Sequence, residues 1–596
     1  MPGPDDRYKW IALSNTTLGV FMASVDASIV IISLPAIFRG INLNPLQASN
    51  ISYLLWLLQG YLVVTAVLVV TLGRLGDMLG RVRIYNAGFA IFTVASIGLS
   101  LTWSKGAAGA LEMIVMRVVQ GIGGSMLLAN STAILTDAFP VEQRGMAMGI
   151  NQIAGLAGSF IGLIAGGLLA DIDWRLVFWV SVPVGVFGTV WAYRNLHETS
   201  SGRRVVRLDW WGNLTFAVGL VSILIGITYG IQPYGHHTMG WSSPTVLAEL
   251  IGGVVVLGIF AAIEAHSPEP MFNLRLFKIR AFLSGNMASL LSSIGRGGLQ
   301  FVLIIWLQGI WLPLHGYSFD KTPLWAGMYM LPLTGGFLLA GPISGALSDR
   351  YGARPFSTGG MVVAAATFLL LMELPANFGY PVFALLLFAN GIGFGLFAAP
   401  NTTAVMNSVP PEERGAASGM RATFQNSGMV LSIGLFFSFM IAGLASSLPG
   451  AMRTQLIAHG VPVATATTAA HLPPVGSLFA AFLGFNPISS LLGPHVLSSL
   501  PPANAAYLTG KTFFPNLIAG PFMDGLRLAF ISSAVMCLVA AAASWLRGGR
   551  FVYTGPAATP VAPAPSTADR TSESEGAGGS PAREPHGAKA DYPLVR

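Results

Sequence analysis

The sequence predicts an all-α polytopic membrane protein. Of its 596 residues, 53% are hydrophobic and only 10% are charged, whereas soluble proteins usually carry about 25% charged residues. Fourteen apolar segments are long enough to cross a bilayer as helices. Because backbone groups in lipid must pair within the chain, we expect helices and no open sheet. The segments are roughly 11–36, 52–72, 84–103, 108–134, 146–170, 175–195, 210–231, 244–264, 282–307, 323–344, 356–374, 380–406, 416–444 and 525–546.

Two charged motifs occur twice in the chain. Residues 73–83 are echoed by 345–354 at an offset of 272, and residues 140–145 are echoed by 410–415 at an offset of 270. Two matches at nearly one offset indicate homologous halves, as in many transporters. The offset exceeds the length of six spans, and the excess matches spans seven and eight. The predicted architecture is therefore two six-helix halves separated by an inserted helix pair.

The charges in the loops predict an orientation. With the N-terminus in the cytoplasm, nineteen lysines and arginines lie in inner segments and seven in outer segments, as the positive-inside rule requires. An even number of spans places both termini inside, and we expect the inner or plasma membrane of a bacterial cell. The predicted regions are an N-terminus (1–10), a first half (11–200), the inserted pair (201–270), a second half (271–546) and a disordered cytoplasmic tail (547–596).

An outer loop, 445–524, falls outside the repeat. It is rich in Ala, Leu, Pro and Phe, and its apolar part, 475–492, is interrupted by Gly484, Pro487 and Gly493. One interpretation is an ordered loop or short helices on the outer membrane face. The other is a re-entrant or additional spanning segment. In either case the loop is a possible site for an extracytoplasmic partner.

Composition argues against several classes of protein. The chain has a single cysteine, Cys537, so it cannot form an internal disulfide, and no Cys/His spacing typical of a metal site or a catalytic pair is present. The net charge of +7 comes largely from short loops between apolar segments, so we do not expect nucleic-acid binding. Glycine-rich stretches lie within spans and not at strand-to-helix turns, which argues against a binding site for FAD or NAD. We expect no enzyme activity, no cofactor and no metal.

Three ionisable residues lie deep inside predicted spans, where charges are costly and usually functional. At 1.5 Å per residue, Asp26, Arg117 and Arg296 fall in one layer between the midplane and the outer third of the membrane. Asp26 is either a proton carrier or one half of a static ion pair with Arg117, and Arg117 has the same two alternatives. Arg296 could pair with Asp26, contact an anionic substrate or face a watery cavity. A coupling role requires Asp26 to be reachable by water.

Further candidate residues follow from polarity and spacing. Gln120, Gln425 and Asn426 are predicted, with Arg296, to line a substrate cavity. The glycines of span five, Gly158, Gly162, Gly166 and Gly167, form a small-residue stripe that favours close helix contact. Asp77 can bind the start of span three or pair with Arg81 or Arg144, and Asp349 has similar choices, including Arg414. The predicted gating residues are Gly73, Asp77, Gly80, Arg81, Arg144, Asp349 and Arg414.

These motifs resemble the major facilitator superfamily, and specifically its fourteen-span drug:proton antiporter-2 (multidrug efflux) branch. Gly73–Arg83 resembles the signature after span two, and Arg117–Gly123 resembles the span-four signature whose arginine is implicated in proton coupling. Val25–Pro35 is similar to the span-one pattern of the branch. Asp209–Gly212 and Leu274–Phe277 resemble its sequences around the inserted pair.

The resemblance covers residues 11–445 and 525–546 and has two departures. Leu163 stands where the span-five antiporter signature has proline, and Ile31 stands where span one usually has a polar residue. The resemblance implies the major facilitator fold and proton-coupled efflux of small lipophilic compounds, with protons and the bilayer as the other partners. The departures concern two parts of this implication: whether protons and solute move in opposite directions, and whether the protein exports drugs in general.

The sequence therefore predicts a secondary transporter that exports hydrophobic or amphipathic compounds in exchange for protons, by rocking of the two halves. A first alternative is export of an endogenous lipid or cell-envelope metabolite. A second is a receptor or scaffold that transports nothing, which would tolerate neutralisation of both Asp26 and Arg117. Substrate identity, stoichiometry and oligomeric state are not encoded in any recognisable motif.

Overall fold

The structure is a computed structural model of the full chain. It describes residues 6–44, 47–198, 209–235, 237–267, 270, 272–410, 413–484 and 486–548, all of which belong to one compact unit. The predicted disordered tail therefore lies almost entirely outside the described residues. Within them, fourteen helices are long and apolar enough to cross a membrane, and no β-strand is formed. The predicted all-α polytopic fold is confirmed.

The first half supplies six spans. Consecutive spans run in opposite directions because short connections join them, such as the single residue Gly80 between the second and third helices. The sixth span is two consecutive helical segments that meet at Val180. The helices are α1 (Asp6–Gly40), α2 (Ala48–Leu79), α3 (Arg81–Ser100), α4 (Gly106–Ala138), α5 (Val141–Ile172), α6 (Leu176–Trp179) and α7 (Ser181–Asn195).

The inserted pair and the second half follow. Asp209 caps the first inserted helix by accepting a hydrogen bond from the Gly212 N–H, and a 3₁₀ turn, Leu274–Lys278, leads into the second half. A π-helical segment, Trp306–Trp311, continues the ninth span. The helices are α8 (Trp210–Gly230), α9 (Pro244–His266), α10 (Arg280–Ile305), α11 (Leu312–Leu314), α12 (Thr322–Tyr329), α13 (Leu331–Tyr351), α14 (Ala353–Met372), α15 (Tyr380–Asn407), α16 (Arg414–Ala458), α17 (Val463–Ala469), α18 (Pro474–Phe482), α19 (Ile488–Ser499), α20 (Pro502–Thr509) and α21 (Phe513–Leu546).

Several spans are longer than the sequence predicts, and three of them show the difference clearly. The ninth continues to Leu314, the thirteenth continues to Ala458, and the fourteenth begins at Phe513. The 45 residues of α16 correspond to about 68 Å of helix, which exceeds the membrane thickness. Hydropathy marks the part of a helix that lies in hydrocarbon and does not report where hydrogen bonding stops, so the predicted ends at 307 and 444 and the predicted start at 525 were wrong.

The outer loop consists of the four short helices α17 to α20. Helix α18 differs from the others because all nine of its residues are buried. The rings of Phe482 and Phe301 lie 5.5 Å apart, and those of Phe479 and Phe437 lie 5.3 Å apart. The carbonyl oxygen of Ala481 lies beside Gly309, where a Cβ atom would come within 3.0 Å. At about 14 Å of helix, α18 is too short to span the bilayer, but it packs among helices that do.

Candidate functional site

A cavity of about 160 Å³ lies between the two halves. Its walls come from α1, α2, α4 and α5 of the first half and from α10, α13, α15 and α16 of the second, and most of the lining side chains are aliphatic or aromatic. Ile31 and Leu163, the two departures from the family pattern, both line it. The polar lining side chains are Ser28, Tyr61, Arg117, Ser159, Arg296, Gln300 and Thr334.

Asp26 and Arg117 form an ion pair beside this cavity. Asp26 Oδ2 lies 2.5 Å from Arg117 Nη1, and the two residues are 0% and 2% exposed. The guanidinium also lies over the Tyr61 ring, 4.9 Å from its centroid, and its Nε–H donates to the Leu57 carbonyl. The structure therefore brings together two of the three membrane-embedded charges that the sequence identified.

Gln120 completes this cluster. Its Nε2 donates to Asp26 Oδ1 at 2.8 Å and to Ser96 Oγ at 2.9 Å, and its Oε1 accepts from Arg117 Nη1 at 2.6 Å. Arg117 and Gln120 are three residues apart on α4, so they share a helix face. Gln120 is buried behind Arg117 and does not line the cavity. Its predicted place in the cavity wall was wrong, and it supports the ion pair instead.

The Asp26 carboxylate lies outside the cavity wall. The carboxylate is fully buried and is absent from the cavity wall, whereas the Arg117 side chain forms part of that wall. A coupling role for Asp26 was predicted to fail if the carboxylate were walled off from any aqueous passage, and in this conformation it is fully buried and does not line the cavity. The role therefore depends on Arg117 moving away from Asp26 in another conformation.

Arg296 lies on the opposite wall of the cavity. Its guanidinium carbon is 4.9 Å from the centroid of the Phe337 ring and 5.9 Å from that of Phe394. Among the described residues it makes no hydrogen bond and no ion pair, and Asp26 is occupied by Arg117. Of the three predicted alternatives for Arg296, pairing with Asp26 is not observed, and its side chain faces the cavity.

Gln425 and Asn426 are not part of the cavity wall. The residues of α16 that line the cavity are Met429 and Ile433, one and two turns further along the helix. Gln425 instead accepts a weak hydrogen bond from Arg421 at 3.4 Å. The prediction was wrong because polarity alone does not fix the depth at which a cavity opens along a long helix.

The two halves contact each other on both sides of the cavity. On the side predicted to be cytoplasmic, here called the inner side, Thr423 Oγ1 of α16 donates to the Ala66 carbonyl of α2 at 3.4 Å. On the outer side, Gln308 donates to the Ile32 carbonyl at 3.3 Å, and Arg39 pairs with Asp320 at 2.7 Å. The cavity is therefore enclosed between two sets of contacts, which must open in turn if a solute is to cross.

An ion-pair cluster fixes the inner ends of α2, α3 and α4. Arg81 lies 2.7 Å from Asp77 and 2.7 Å from Asp137. Asp137 was not identified from the sequence, because an acidic residue at a span end looks like an ordinary loop charge. The side chains are 25–40% exposed, so each pair contributes about 0–1 kcal/mol. All three helices belong to the first half, so the cluster bears on the contact between the halves only through α2, whose Ala66 carbonyl accepts from Thr423 of α16.

The other predicted gating residues have different surroundings. The start of α3 is bound by Glu198, which accepts from the N–H groups of Val82 and Arg83 at 3.0 and 3.2 Å, and not by Asp77 as one prediction had it. Arg414 Nε donates to the Met406 carbonyl at 3.1 Å. The side chains of Arg144 and Asp349 lie outside the described part of the structure, so their predicted pairs stay predictions.

The glycine stripe of α5 faces α1. A Cβ atom at Gly158 would lie 2.6 Å from the Phe21 carbonyl oxygen, and one at Gly162 would lie 2.6 Å from that of Val25. Gly166 also packs on α1, and its carbonyl accepts a hydrogen bond from Ser33 at 3.0 Å. Gly167 faces Leu324 of the second half instead. The stripe therefore packs α5 closely against α1, the helix that carries Asp26, and α5 also contacts the second half.

The glycine at the start of each inner motif has a looser environment. A Cβ atom at Gly73 would meet the Ala129 Cβ at 3.5 Å, and one at Gly345 would meet the Ala399 Cβ at 3.6 Å. The two contacts are related by the repeat, since Gly73 and Gly345 are 272 residues apart and their partners are 270 apart. Both positions are ordinary helix contacts between small residues.

Comparison with known proteins assigns the family. Residues 16–433 match the family model described as Major Facilitator Superfamily, and the chain belongs to this superfamily. The fold and the family are those of membrane transporters and not of enzymes. The predicted membership of the superfamily is thereby confirmed, and its drug-resistance relatives are consistent with the fourteen-span branch.

Several curated relatives match most of the chain. The chain is 26% identical over 534 residues to the tetracenomycin C resistance and export protein of Streptomyces glaucescens, covering 89% of this chain and 90% of the relative. It is 27% identical over 543 residues to the multidrug transporter protein MdtP of Bacillus subtilis, covering 89% of this chain and 91% of the relative. It is also 27% identical over 441 residues to the riboflavin transporter RibZ of Clostridioides difficile, covering 74% of this chain and 90% of the relative.

Proposed function

We propose that the protein is a proton-coupled secondary transporter that exports hydrophobic or amphipathic compounds across the bacterial plasma membrane. The observation that carries the proposal is the Asp26–Arg117 pair, which is buried beside a mostly apolar cavity between the two halves. Relatives named for resistance, export and multidrug transport support the efflux assignment. The apolar lining, including Ile31 and Leu163, suits a lipophilic solute.

Protonation of Asp26 supplies the coupling step. A buried ion pair is stable only while both partners are charged. A proton on Asp26 removes one charge and leaves Arg117 with Gln120 Oε1 and the Leu57 carbonyl as its remaining acceptors. Because Arg117 already forms part of the cavity wall, its movement transmits the protonation state of Asp26 to the solute.

The same step biases the conformation of the protein. Asp26 lies on α1, and α1 is in van der Waals contact with the glycine stripe of α5. Helix α5 in turn touches α12 through Gly167 and Leu324 on the outer side. A small displacement of α1 is therefore passed to the outer contact between the halves, while the Arg81 cluster and the Thr423–Ala66 bond act on the inner side.

The test is transport by purified protein in vesicles of neutral lipid. An acid interior should drive accumulation of the uncharged dye N-phenyl-1-naphthylamine, and nigericin should abolish it. Asp26→Asn should lose most of the gradient-driven accumulation, whereas Asp171→Asn, an exposed carboxylate, should keep it. Asp26→Asn combined with Arg117→Gln controls for the cost of leaving one charge buried. Gradient-driven accumulation by both Asp26 variants at the parental rate would remove Asp26 from the mechanism.

A second candidate function is export of an endogenous metabolite or lipid. It is favoured by the similarity to a riboflavin transporter and by the outer loop, whose helix α18 packs on Phe301 of the cavity wall. Deleting the whole loop would expose the residues that α18 covers, so the test must spare it. Replacing the exposed faces of α19 and α20 should impair metabolite or lipid export, with dye transport intact, only if this second function is correct.

A further inference from the structure

The cavity carries an unbalanced positive charge. Among the described residues that line it, two are arginines and none is Asp or Glu. The charge of Arg117 is balanced by Asp26 behind it. Arg296 has no such partner, and its neighbours are the rings of Phe337 and Phe394. The lining thus has a net charge of one positive unit in an otherwise apolar surface.

The surroundings of Arg296 leave its hydrogen-bonding edge unused. The rings lie against the guanidinium at 4.9 and 5.9 Å from their centroids, and such contacts hold a cation by its face. The N–H donors point along the edges of the plane, and no described residue accepts from them. Arg296 is exposed and lines the cavity, so its unused donors are accessible to a solute that brings a hydrogen-bond acceptor.

The neighbouring positions on α10 support the same interpretation. Gly297 and Gln300 also line the cavity, so Arg296 lies on the face of α10 that a solute would touch. Gln300 offers an additional donor and acceptor one turn from Arg296. Most of the other lining side chains, such as Ile31, Leu163 and Phe301, are hydrocarbon. The cavity therefore combines the unbalanced charge of Arg296 with a mostly apolar lining.

We propose that the cavity selects amphipathic anions, in which an aromatic or aliphatic body carries one sulfonate, carboxylate or phosphate group. Arg296 binds the anionic group with two parallel N–H donors, a geometry that suits planar and tetrahedral oxyanions. The body of the solute packs against the aliphatic and aromatic side chains of the lining. Lipophilic cations of the same size are disfavoured because they would meet the unbalanced charge of Arg296. This inference rests on the proposed function, since it names the substrate class of the same cavity.

The test compares three ligands whose substituents are negatively charged, neutral and positively charged. Naphthalene-1-sulfonate, naphthalene-1-methanol and trimethyl-(1-naphthyl)ammonium share one ring system, and the two ions stay charged at any working pH. Binding is measured as the rise in thermal unfolding temperature of the full-length purified protein in a neutral detergent, since a ligand of the folded state stabilises it. The sulfonate should bind at least about tenfold more tightly than the ammonium compound, with the alcohol between them.

Variants of Arg296 assign this selectivity to one side chain. Arg296→Gln should weaken sulfonate binding by about tenfold or more, as expected for a charge-assisted hydrogen bond, and leave the alcohol unaffected. Arg296→Lys should keep the preference for the anion in weaker form. Arg453→Gln, which removes an exposed arginine of the outer part of α16, should change nothing. The unliganded Arg296→Gln protein should be about as stable as the parent, because the exposed guanidinium makes no hydrogen bond or ion pair with the described residues.

Two results would overturn the inference. One is equal or tighter binding of the ammonium compound, and the other is undiminished sulfonate binding by Arg296→Gln. Neither depends on a proton gradient, so failure of proton-driven dye transport leaves the binding comparison interpretable. Conversely, proton-driven transport of the neutral dye together with equal binding of the two ions would leave the proposed function standing and remove only the anion preference.

Discussion

Gly80 and Gly352 occupy the same place in the two halves, and both have a positive φ. The angle is +110° at Gly80, between α2 and α3, and +82° at Gly352, between α13 and α14. They are 272 residues apart, which is the offset of the repeated motif. At both positions a single residue reverses the chain between two spans, and this backbone conformation is one that L side chains rarely adopt. The equivalent loops thus share a conformation as well as a sequence motif.

The two glycines offer a matched pair of substitutions. Gly352→Ala should cost about 1–3 kcal/mol of stability, from backbone strain alone, because nothing lies within 4 Å of the position that a Cβ atom would take there. Gly80→Ala should cost more, because the new Cβ atom would collide with Glu198 Oε1, which accepts from Val82 and Arg83. Thermal unfolding of the purified variants measures the difference. An equal loss in both would show that Glu198 moves aside freely.

The inner ion-pair cluster of Arg81, Asp77 and Asp137 can be tested by removing one of its charges. Asp137→Asn should lower stability by no more than about 1 kcal/mol, because the pair is partly solvated, yet it should shift the balance of conformations. Spin labels on cysteines introduced at Arg83 and Arg350, both exposed on the inner side, report the separation of the two halves. The native Cys537 is buried, so it should not take up the label. The variant should broaden the distance distribution toward longer values, and Asp171→Asn on the outer side should not. An unchanged distribution would make the cluster structural only.

Much of the fold could be predicted because lipid imposes simple constraints. Spans must be long and apolar, so all fourteen were identified from hydropathy. Charges inside them are rare enough to stand out, and the pair that Asp26 and Arg117 form is one of the alternatives that the sequence suggests. Depth along a helix can be counted from the sequence, so two residues in one membrane layer are natural candidates for a contact.

The parts that could not be predicted depend on which side of a helix faces which neighbour. Gln120 was assigned to the cavity, but it lies behind Arg117. Asp137 and Glu198 bind residues of other helices, and their spacing in the sequence gives no sign of it. Helix α18 has only nine residues, which is too few for hydropathy to distinguish a buried segment from a surface one. In each case the decisive information is a tertiary contact.

The glycine stripe of α5 predicts a position-specific cost. Gly162→Ala should destabilise the protein by about 1–3 kcal/mol, the usual cost of overpacking, because its Cβ atom would lie 2.6 Å from the Val25 carbonyl oxygen. Gly149→Ala on the same helix is the control, since nothing lies within 4 Å of a Cβ atom there. It should be neutral or stabilising by up to about 1 kcal/mol, from helix propensity. Equal effects at both positions would show that α1 and α5 separate without cost.

Helix α18 predicts that a loop residue can matter as much as a core residue. Phe479 is 1% exposed and packs on Phe437 of α16, so Phe479→Ala should cost about 3–5 kcal/mol, as for other buried aromatic side chains. Val463 of α17 is 54% exposed, and Val463→Ala should have little effect on the thermal unfolding temperature. Because Phe482 of the same helix touches Phe301 of the cavity wall, Phe479→Ala should also loosen the cavity and weaken naphthalene-1-methanol binding. Unfolding temperatures that fall equally in both variants, or not at all, would place α18 on the surface instead of among the spans.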